Sequence, residues 1–455
     1  MLTLQEICEV TSGILIGNPK SEVIRSFHFD TRELTTGSMF IALTGGIRDG
    51  HQFLSQAQAQ GAIAALVSDE TVSREGHELT FILVKDTELA FAQIASYYRD
   101  KLTIPVIAIT GSNGKTTTKD IISHILSSNK KVYKTFKNYN NHLGVPLSIL
   151  QIQLRDEMAV LEMGMNHAGE IDFLGSIAKP NISVIVNVTD AHIEHLGSRE
   201  NIAQAKAELL PHTSKDGFVI LNGDNPYVVS VSHLYQGKTY FYRLTGKADI
   251  FATEIQTNDL GTSFTVTVGE NTHQFTVPMF GTHIVSNTLP AIFIALQFGY
   301  RFDEINDSLQ SLSISPMRFE LVRDIRKTTV INDAYNASPT SMKTSIETFS
   351  GILLKHKKVL VLGDMFELGQ DSEDYHREVG HFISTLKDKP SFVVTVGNHA
   401  AYLSETCGVP SQHFTNKSEV APFLTQFVKQ DHAILFKASR GMKLEEVIEQ
   451  LVELI

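Results

Sequence analysis

The chain has no tryptophan and only two cysteines, Cys8 and Cys407, among 455 residues. Two cysteines so far apart supply neither a disulfide framework nor the paired spacing of a zinc site. They suit a reducing compartment, and a cytoplasmic protein is expected. No apolar run approaches the ~20 residues of a membrane span. The opening segment, Met1-Leu-Thr-Leu-Gln-Glu-Ile, lacks the basic and apolar regions of a signal peptide. Basic excess is also missing: 39 lysines and arginines stand against 50 acidic residues, a net charge of −11. That balance argues against a nucleic-acid partner. Repeats and low-complexity tracts are absent. What remains, 42% hydrophobic and 20% charged residues, describes an ordinary globular protein. At ~150 residues per domain, about three domains are expected.

Against this plain background one run stands out, Val106-Ile-Ala-Ile-Thr-Gly-Ser-Asn-Gly-Lys-Thr-Thr-Thr118. An apolar strand ends in a glycine-rich turn that delivers a lysine and three threonines into a helix with apolar residues at Ile121, Ile122, Ile125 and Leu126. Such a junction holds nucleotide phosphates: backbone N–H groups curl around the anion, the helix N-terminus faces it, and Lys115 neutralises charge. Thr116 sits where a hydroxyl ligates the Mg²⁺ of a triphosphate. Only Ser112 and Asn113 separate Gly111 from Gly114, fewer than the four residues of the general phosphate loop. An ordinary strand–turn–helix corner explains the glycines but not Lys-Thr-Thr-Thr.

The spacing of apolar segments predicts an α/β protein of three domains. Residues 1–102 form a small mixed α/β unit. It has strand-to-loop segments at Ser26-Phe-His-Phe-Asp-Thr-Arg32 and 38–46, a helix over 57–62, a strand over 63–67 and a helix over 86–99. Residues 103–315 form a central phosphate-loop ATPase unit with a mostly parallel sheet. Its strands are predicted over 158–162, 182–188 and 218–221, and its helices over 169–178 and 198–210, the last stopped by Pro211. Thr/Val/Phe-rich alternation over 250–280 predicts a small antiparallel sheet. Residues 316–455 form a Rossmann-like unit, with strands over 327–332, 358–363, 392–397 and 433–437 and a last helix over 442–454.

Ligands of such sheets gather at the carboxyl ends of the strands. Glu162 ends one strand and has the chemistry to bind a cation, although a solvated strand-end charge is the simpler account. His192, in Asp190-Ala-His-Ile-Glu-His195, follows the next strand, and no recognised metal spacing surrounds it. Lys206 reads as a surface lysine on an amphipathic helix, and nothing in the spacing selects it. Arg318, at the second domain joint, suits a phosphate across a cleft or a surface ion pair equally well. Ser338 and Pro339 form an N-cap and first-turn pair. Capping leaves Asn332-Asp-Ala-Tyr-Asn336 unexplained, and that cluster reads as a hydrogen-bonding site. Loops at 363–369 and 437–442 are expected to face the ATP site with it.

Taken together, these motifs resemble the Mur ligases, ATP-dependent amide ligases of peptidoglycan precursor synthesis. The resemblance spans the chain. It rests on Thr110-Gly-Ser-Asn-Gly-Lys-Thr-Thr117, Asn140-Asn-His-Leu-Gly-Val-Pro146, Leu161-Glu-Met-Gly-Met-Asn166, Ala191-His-Ile-Glu-His-Leu-Gly-Ser198, Ala205-Lys-Ala-Glu208, Asn332-Asp-Ala-Tyr-Asn-Ala-Ser-Pro339, Leu362-Gly-Asp-Met-Phe-Glu-Leu-Gly369 and Ser439-Arg-Gly-Met442. Glu-Met-Gly-Met-Asn and Asn-Asp-Ala-Tyr-Asn-Ala resemble most the member that adds a dipeptide. The Asp-Asn-Pro-Arg motif of the diaminopimelate-adding member is not found; Asp224-Asn-Pro226 lies in the middle unit and precedes Tyr227.

The resemblance implies an ADP-forming ligase with ATP and Mg²⁺, joining D-alanyl-D-alanine to UDP-N-acetylmuramoyl-tripeptide through an acyl phosphate, and a monomer is expected. It implies ATP binding by Gly111, Ser112, Asn113, Gly114, Lys115, Thr116, Thr117, Asn287, Arg318 and Asp333. It places one Mg²⁺ on Thr116 and Glu162, and another on His192 and a CO₂-modified, carbamate form of Lys206. Lys115, Glu162, His192 and Lys206 are thereby the implied catalytic set. Thr31, Arg32, Asp49 and His51 would hold the uridine diphosphate sugar, and Asn140, Asn141, Tyr335 and Asn336 would contact substrate. One position departs from the family pattern: where His-Asn-x-x-Asn contacts adenine, this chain reads His283-Ile-Val-Ser-Asn287. The alternatives are a Mur-type or folylpolyglutamate synthase-like ligase with another amine substrate, or an inactive nucleotide-binding protein.

Overall fold

Three large sheets follow one another along the chain, beside two short two-stranded ribbons among the described residues, and most of their strands have alternate or all residues apolar. They are seen in a computed structural model that describes residues 2–19, 21–45, 48–71, 78–325 and 328–455. Gly46 and Lys327, each assigned above to a predicted segment, lie outside the described residues.

The first sheet runs in the order Ile14–Ile16, Thr80–Leu83, Ala62–Val67, Ser38–Ile41, Ser26–His28, parallel except for the first pair. The small-residue helix predicted over 57–62 is instead Leu54–Ala59, and Ala62 starts the strand. Gly61, at φ +99°, turns the chain between them, and the predicted window slid past this break because alanine suits both sides. The helix Thr87–Lys101, capped by Asp86, packs on Leu4–Thr11 and on the helices Gly144–Leu150 and Glu170–Ala178 of the next unit. Arg99, almost buried, donates to the carbonyls of Ala178 at 2.7 Å, Leu102 at 2.9 Å and Lys179 at 3.1 Å, and to Asn181 Oδ1 at 3.2 Å. These bonds and a shared apolar core fasten the first unit to the second.

The second sheet has nine strands in the order Val132–Lys134, Met158–Glu162, Val106–Thr110, Ile182–Ile185, Phe218–Asn222, Lys238–Arg243, Ile250–Asn258, Gly261–Val268, Asn271–Val277. The first seven are parallel, and the last three continue the same sheet as antiparallel hairpins. Val106–Thr110 is buried along its whole length, as a strand covered on both faces must be. It lies where the strand order reverses, between Met158–Glu162 and Ile182–Ile185, the switch point at which open α/β sheets bind ligands.

Two predicted elements differ here. The strand expected over 182–188 stops at Ile185, because Val186 to Val188 turn beneath the phosphate loop and bond to it. The helix expected over 198–210 ends at Ala207, and Pro211 lies inside a short 3₁₀ turn, Leu210–His212, where its missing N–H costs nothing.

The third sheet runs Glu320–Ile325, Thr328–Asn332, His432–Lys437, Lys357–Gly363, Phe392–Val396, Ser411–Phe414, parallel after the first antiparallel pair. Its last helix is Glu445–Leu454, preceded by a 3₁₀ turn at Arg440–Met442. Ser338 caps the helix Pro339–Gly351 as expected. Asp224-Asn-Pro likewise has a local structural role: Asn225 caps the helix Pro226–Ser230. Among the described residues no helix is long and apolar enough to cross a membrane.

Candidate active site

The phosphate loop is held from beneath by the segment that follows the strand Ile182–Ile185. The Ser112 and Asn113 amides donate to the Asn187 backbone carbonyl and to Asn187 Oδ1, both at 2.9 Å. Ser112 Oγ accepts from the Thr189 amide at 2.9 Å. Gly114 takes a left-handed conformation, φ +81°, and opens the helix Lys115–Leu126. A Cβ there would stand 2.5 Å from Asn287 Oδ1, so glycine is required twice over, by backbone angle and by space. Gly114→Ala should therefore cost about 1–2 kcal/mol in backbone strain and push Asn287 aside. The expected result is an ATP affinity at least about tenfold weaker by calorimetry, the equivalent of 1.4 kcal/mol, with the fold retained. An unchanged affinity would show that the loop tolerates a side chain.

Lys115 folds back over its own loop, donating to the carbonyls of Gly111 at 2.7 Å and Ser112 at 3.3 Å. Burial lowers the pKa of its ammonium; the Glu162 carboxylate opposes the shift and Arg318 adds to it. Two carbonyls are weak partners for a cation. An anion arriving in the loop offers a stronger one.

Glu162 is buried rather than solvated, at 3% exposure. Its Oε1 accepts from Asn140 Nδ2 at 2.8 Å, and its backbone N–H donates to Thr135 Oγ1 at 3.0 Å. Its Oε2 has no hydrogen-bond partner. The nearest cation is Lys119, 3.7 Å away. A buried carboxylate oxygen without a hydrogen bond is costly unless something positive completes it, and hard oxygen donors suit Mg²⁺. Glu162 and the nearby Thr116 therefore fit such an ion. Among the described residues no three His, Cys, Asp or Glu side chains form a metal-holding group, so a hydroxyl or a modified residue has to complete any set.

Lys119 and Asp120 carried no signal in the sequence beyond their place in the helix. Both are buried. Asp120 accepts from Lys134 at 2.9 Å, and its other oxygen accepts from the Ser315 amide at 2.9 Å and hydroxyl at 2.6 Å. The helix that opens at the phosphate loop thus tethers the link to the third unit. Burial pushes the Asp120 pKa up, but Lys119, Lys134 and Ser315 together hold it below the usual range.

Three residues beyond that tether, Arg318 crosses to the loop. Met317 and Phe319, on either side of it, both take left-handed angles, φ +62° and +55°. The Arg318 guanidinium donates to Thr116 Oγ1 at 3.2 Å and stacks 3.9 Å above the Tyr335 ring, and its Nε is buried without a partner. The sequence left Arg318 open between a surface ion pair and a cleft position. It stands in the cleft.

Asp333 is nearly buried: Oδ1 accepts from the Phe319 amide at 3.1 Å, and Oδ2 accepts from Lys437 Nζ at 2.7 Å and from the Ser345 hydroxyl. His283 lies beside them with its pKa pushed down to about 4 by burial, and its Nδ1 has no partner. Ile284, at the position that departs from the family pattern, is part of the apolar core at 3% exposure.

His192 takes a left-handed conformation, φ +66°, just before the short helix Ile193–Leu196. Burial lowers the pKa of its ring; Glu367 opposes the shift, and Lys115 and Lys206 add to it. Lys206 is not the surface lysine that its amphipathic helix suggests. It is 1% exposed, and among the described residues it makes no hydrogen bond or ion pair. Burial, reinforced by Lys115, drives its pKa well below the ordinary lysine range. The buried face of its helix carries Ile202, Ala203, Ala205 and Ala207, and Lys206 lies among them.

One cleft of about 470 Å³ gathers most of these groups. It is lined by Ser112 to Thr117, Asn140, Asn141, Glu162, His192, Asn287, Arg318, Asp333, Tyr335 and Asn336, with Lys437 from the 437–442 loop expected to face it and with Asn138 and His283, which carried no assignment. Gly111 and Lys206 are not among the lining residues, nor are Thr31, Arg32, Asp49 and His51 of the first unit. Arg32 forks onto Asp30, donating to Oδ2 at 2.6 Å. The Ser68 amide donates to His51 Nε2 at 2.9 Å, so Nδ1 carries the proton that points to Asp49, 2.6 Å away. Tyr139 donates to Glu33 at 3.4 Å, which brings the Asn140–Asn141 segment to the edge of the first unit. The loop after Gly363 was expected to face the ATP site. Its residues Met365 to Ser372 line a second cavity and Asp364 accepts the amides of Asn398, His399 and Ala400, while Glu367 meets His192 in the wall of the ATP cleft.

Comparison with known proteins bears on what this cleft is for. Residues 109–295 match the Mur ligase middle domain, and residues 317–440 match the Mur ligase, glutamate ligase domain. The UDP-N-acetylmuramoyl-tripeptide–D-alanyl-D-alanine ligase of Bacillus subtilis is 40% identical over 99% of this chain and 98% of its own length. The chain belongs to the Mur ligase family. A crystal structure of MurF from Acinetobacter baumannii superposes on this Mur ligase with a TM-score of 0.90, covering 99% of both chains at 30% identity. MurF ligase from Thermotoga maritima, solved in complex with ADP, superposes with a TM-score of 0.84 over 94% of this chain and 97% of that one at 29% identity. The three-part α/β architecture read from the sequence is the one these structures share with this Mur ligase.

Proposed function

We infer that this chain is the ADP-forming ligase that joins D-alanyl-D-alanine to UDP-N-acetylmuramoyl-tripeptide, using ATP, and so completes the pentapeptide precursor of peptidoglycan. The observation that carries the reading is the convergence of Lys115, Glu162, His192 and Arg318 on one cleft, in a chain aligned end to end with such ligases.

A peptide carboxylate is a poor electrophile. Its oxygen attacks the γ-phosphorus of ATP, the bond to the β-phosphate oxygen breaks, and ADP leaves an acyl phosphate behind. The dipeptide amine then attacks the acyl carbon. The C–N bond forms, the amine gives up a proton and phosphate departs. Lys115 exchanges its two loop carbonyls for phosphate oxygens and stabilises the charge that develops as the phosphoryl group moves. Arg318 reaches the same phosphates from the third unit. Thr116 and Glu162 would hold one Mg²⁺, and His192 with a carbamate on Lys206 would hold the other; ions bound there would neutralise phosphate oxygens that otherwise repel the attacking carboxylate. Lys206 suits carbamylation because burial disfavours its charged form; its nitrogen would bond to the carbon of CO₂, one C–O π pair would pass to oxygen, and the nitrogen would give up a proton.

In this reading residues 1–102 hold the uridine diphosphate sugar through Thr31, Arg32, Asp49 and His51. Residues 103–315 hold ATP, and residues 316–455 bring the dipeptide and close on the nucleotide through Arg318, Asp333, Tyr335 and Asn336. Asn140 acts by orienting Glu162, and Asn141 lies beside it in the cleft. The enzyme works as a cytoplasmic monomer. Its test is phosphate release with UDP-N-acetylmuramoyl-tripeptide and three amines. Release with D-alanyl-D-alanine and not with meso-diaminopimelate or L-glutamate is expected. Release driven by another amine would make this a different ligase, and release with none an inactive relative.

A further inference from the structure

His192 faces a carboxylate from the other side of the cleft. Glu367, in the Gly363-Asp-Met-Phe-Glu-Leu-Gly369 run, places its Oε2 2.7 Å from His192 Nδ1. Nδ1 is within ion-pair distance of that oxygen and, among the described residues, has no hydrogen-bond partner. Both partners take left-handed backbone angles, φ +66° at His192 and +61° at Glu367. Neither is a glycine, so each carries backbone strain that the surroundings must sustain. The two residues come from different sheets. His192 follows the central strand Ile182–Ile185, and Glu367 follows Lys357–Gly363 of the third sheet. Gly369, two residues on, lies against Glu194, so the contact belongs to a docked surface. The pair stands in the wall between the ATP cleft, lined by His192, and the second cavity of about 730 Å³, lined by Glu367.

A histidine that ligates a metal through one ring nitrogen needs its other N–H fixed by an acceptor, and such acceptors set both tautomer and ring angle. We propose that Glu367 is a positioning residue for His192: docking of the third unit supplies the acceptor for Nδ1–H, leaves Nε2 free for a cation, and so makes the second ion site depend on closure. The inference rests on the metal reading above. It gives the ligase a physical order of events, since a cation site that is complete only in the closed form delays phosphoryl transfer until the amine-bearing unit is in place.

The test is Mn²⁺ binding, measured by electron paramagnetic resonance with a non-hydrolysable ATP analogue, in the full-length wild type and in Glu367→Ala, Glu367→Gln and His192→Ala. Glu367 is exposed enough to be replaced without a core cavity, its side chain being 44% accessible. Two ions are expected in the wild type. Glu367→Ala should weaken the second by about tenfold or more and leave the first unchanged. Glu367→Gln, which keeps an acceptor oxygen, should stay close to wild type. A merely structural role would not separate the two ions or rescue with glutamine. Two ions bound normally by Glu367→Ala, or a loss in Glu367→Gln as large as in Glu367→Ala, would overturn the positioning role alone. Two ions retained by His192→Ala would overturn the metal reading and this inference with it.

Discussion

Lys115→Ala should abolish ligation while leaving a folded protein. The lysine stands on the first turn of the helix that begins at Gly114, and its ammonium bonds only to two carbonyls of its own loop. Its removal opens no cavity in the apolar core. Two lost hydrogen bonds cost about 1–3 kcal/mol, which lowers the melting temperature without unfolding the chain. The chemical loss is larger. Removing one preorganised charge from a transferring or developing anion typically costs about 10²- to 10³-fold in kcat, and Lys115 has no neighbour on the loop to replace it. The measurement is phosphate release dependent on D-alanyl-D-alanine, paired with a thermal melt. Near-normal turnover would remove Lys115 from the phosphate site, and an unfolded variant would show that its bonds to the loop matter more to the fold than their geometry suggests.

A comparable loss is expected from Lys206→Ala, for a different reason. A buried lysine with no partner is an unfavourable choice for a merely structural position, where a leucine or methionine would fill the same space without a charge to desolvate. Burial, reinforced by Lys115, pushes the pKa of the amine well below its ordinary value, which favours the neutral, nucleophilic form. If its task is to carry a carbamate, the alanine variant loses an anion. Acetate should then restore part of the rate, bicarbonate should not, and Lys206→Glu should retain more activity than Lys206→Arg. If its task were to supply positive charge, arginine would be the best substitute and acetate would do nothing. Full activity in Lys206→Ala without any added anion would show that the amine has no role in the reaction. Truncating so long a buried side chain leaves a void costing about 2–5 kcal/mol by analogy with large apolar residues, so the assay belongs at a temperature where the variant is shown to be folded.

Most of the fold was legible because the parallel parts of the central and third sheets are covered on both faces. Their strands, such as Val106–Thr110 and Met158–Glu162, are therefore continuous apolar runs that local reading finds with almost correct ends. Where the ends were misplaced, a tertiary contact had overruled a local preference. Val186 to Val188 look like strand and instead turn to hold the phosphate loop. Alanine at 62 looks like helix and is claimed by a strand.

The site was legible where chemistry needs neighbours in sequence. A phosphate loop has to be contiguous, since its amides must converge on one anion, and so Gly111 to Thr117 declared themselves. Residues that act from separate elements gave weaker signals. Lys206 looked solvent-facing because an amphipathic pattern does not say which polar residue a neighbouring layer will cover. Lys119 and Asp120 carried no signal of their own, yet Lys134, Thr135 and the Ser315 link close over them. Glu367 lay inside a motif that stood out without a role, because its partner His192 is 175 positions away in the chain and only the docking of two sheets brings them together.

The sequence alone thus determined the α/β class, the order of three units and the phosphate-holding loop, since each follows from residues close enough to interact through local backbone geometry. Only the tertiary structure decided which ionisable side chains would be stripped of water and which would meet. Desolvation and long-range pairing depend on what the rest of the chain lays over a residue, and no local pattern records that. The Glu162 oxygen without a hydrogen bond, the buried amine of Lys206 and the His192–Glu367 contact all belong to this second kind.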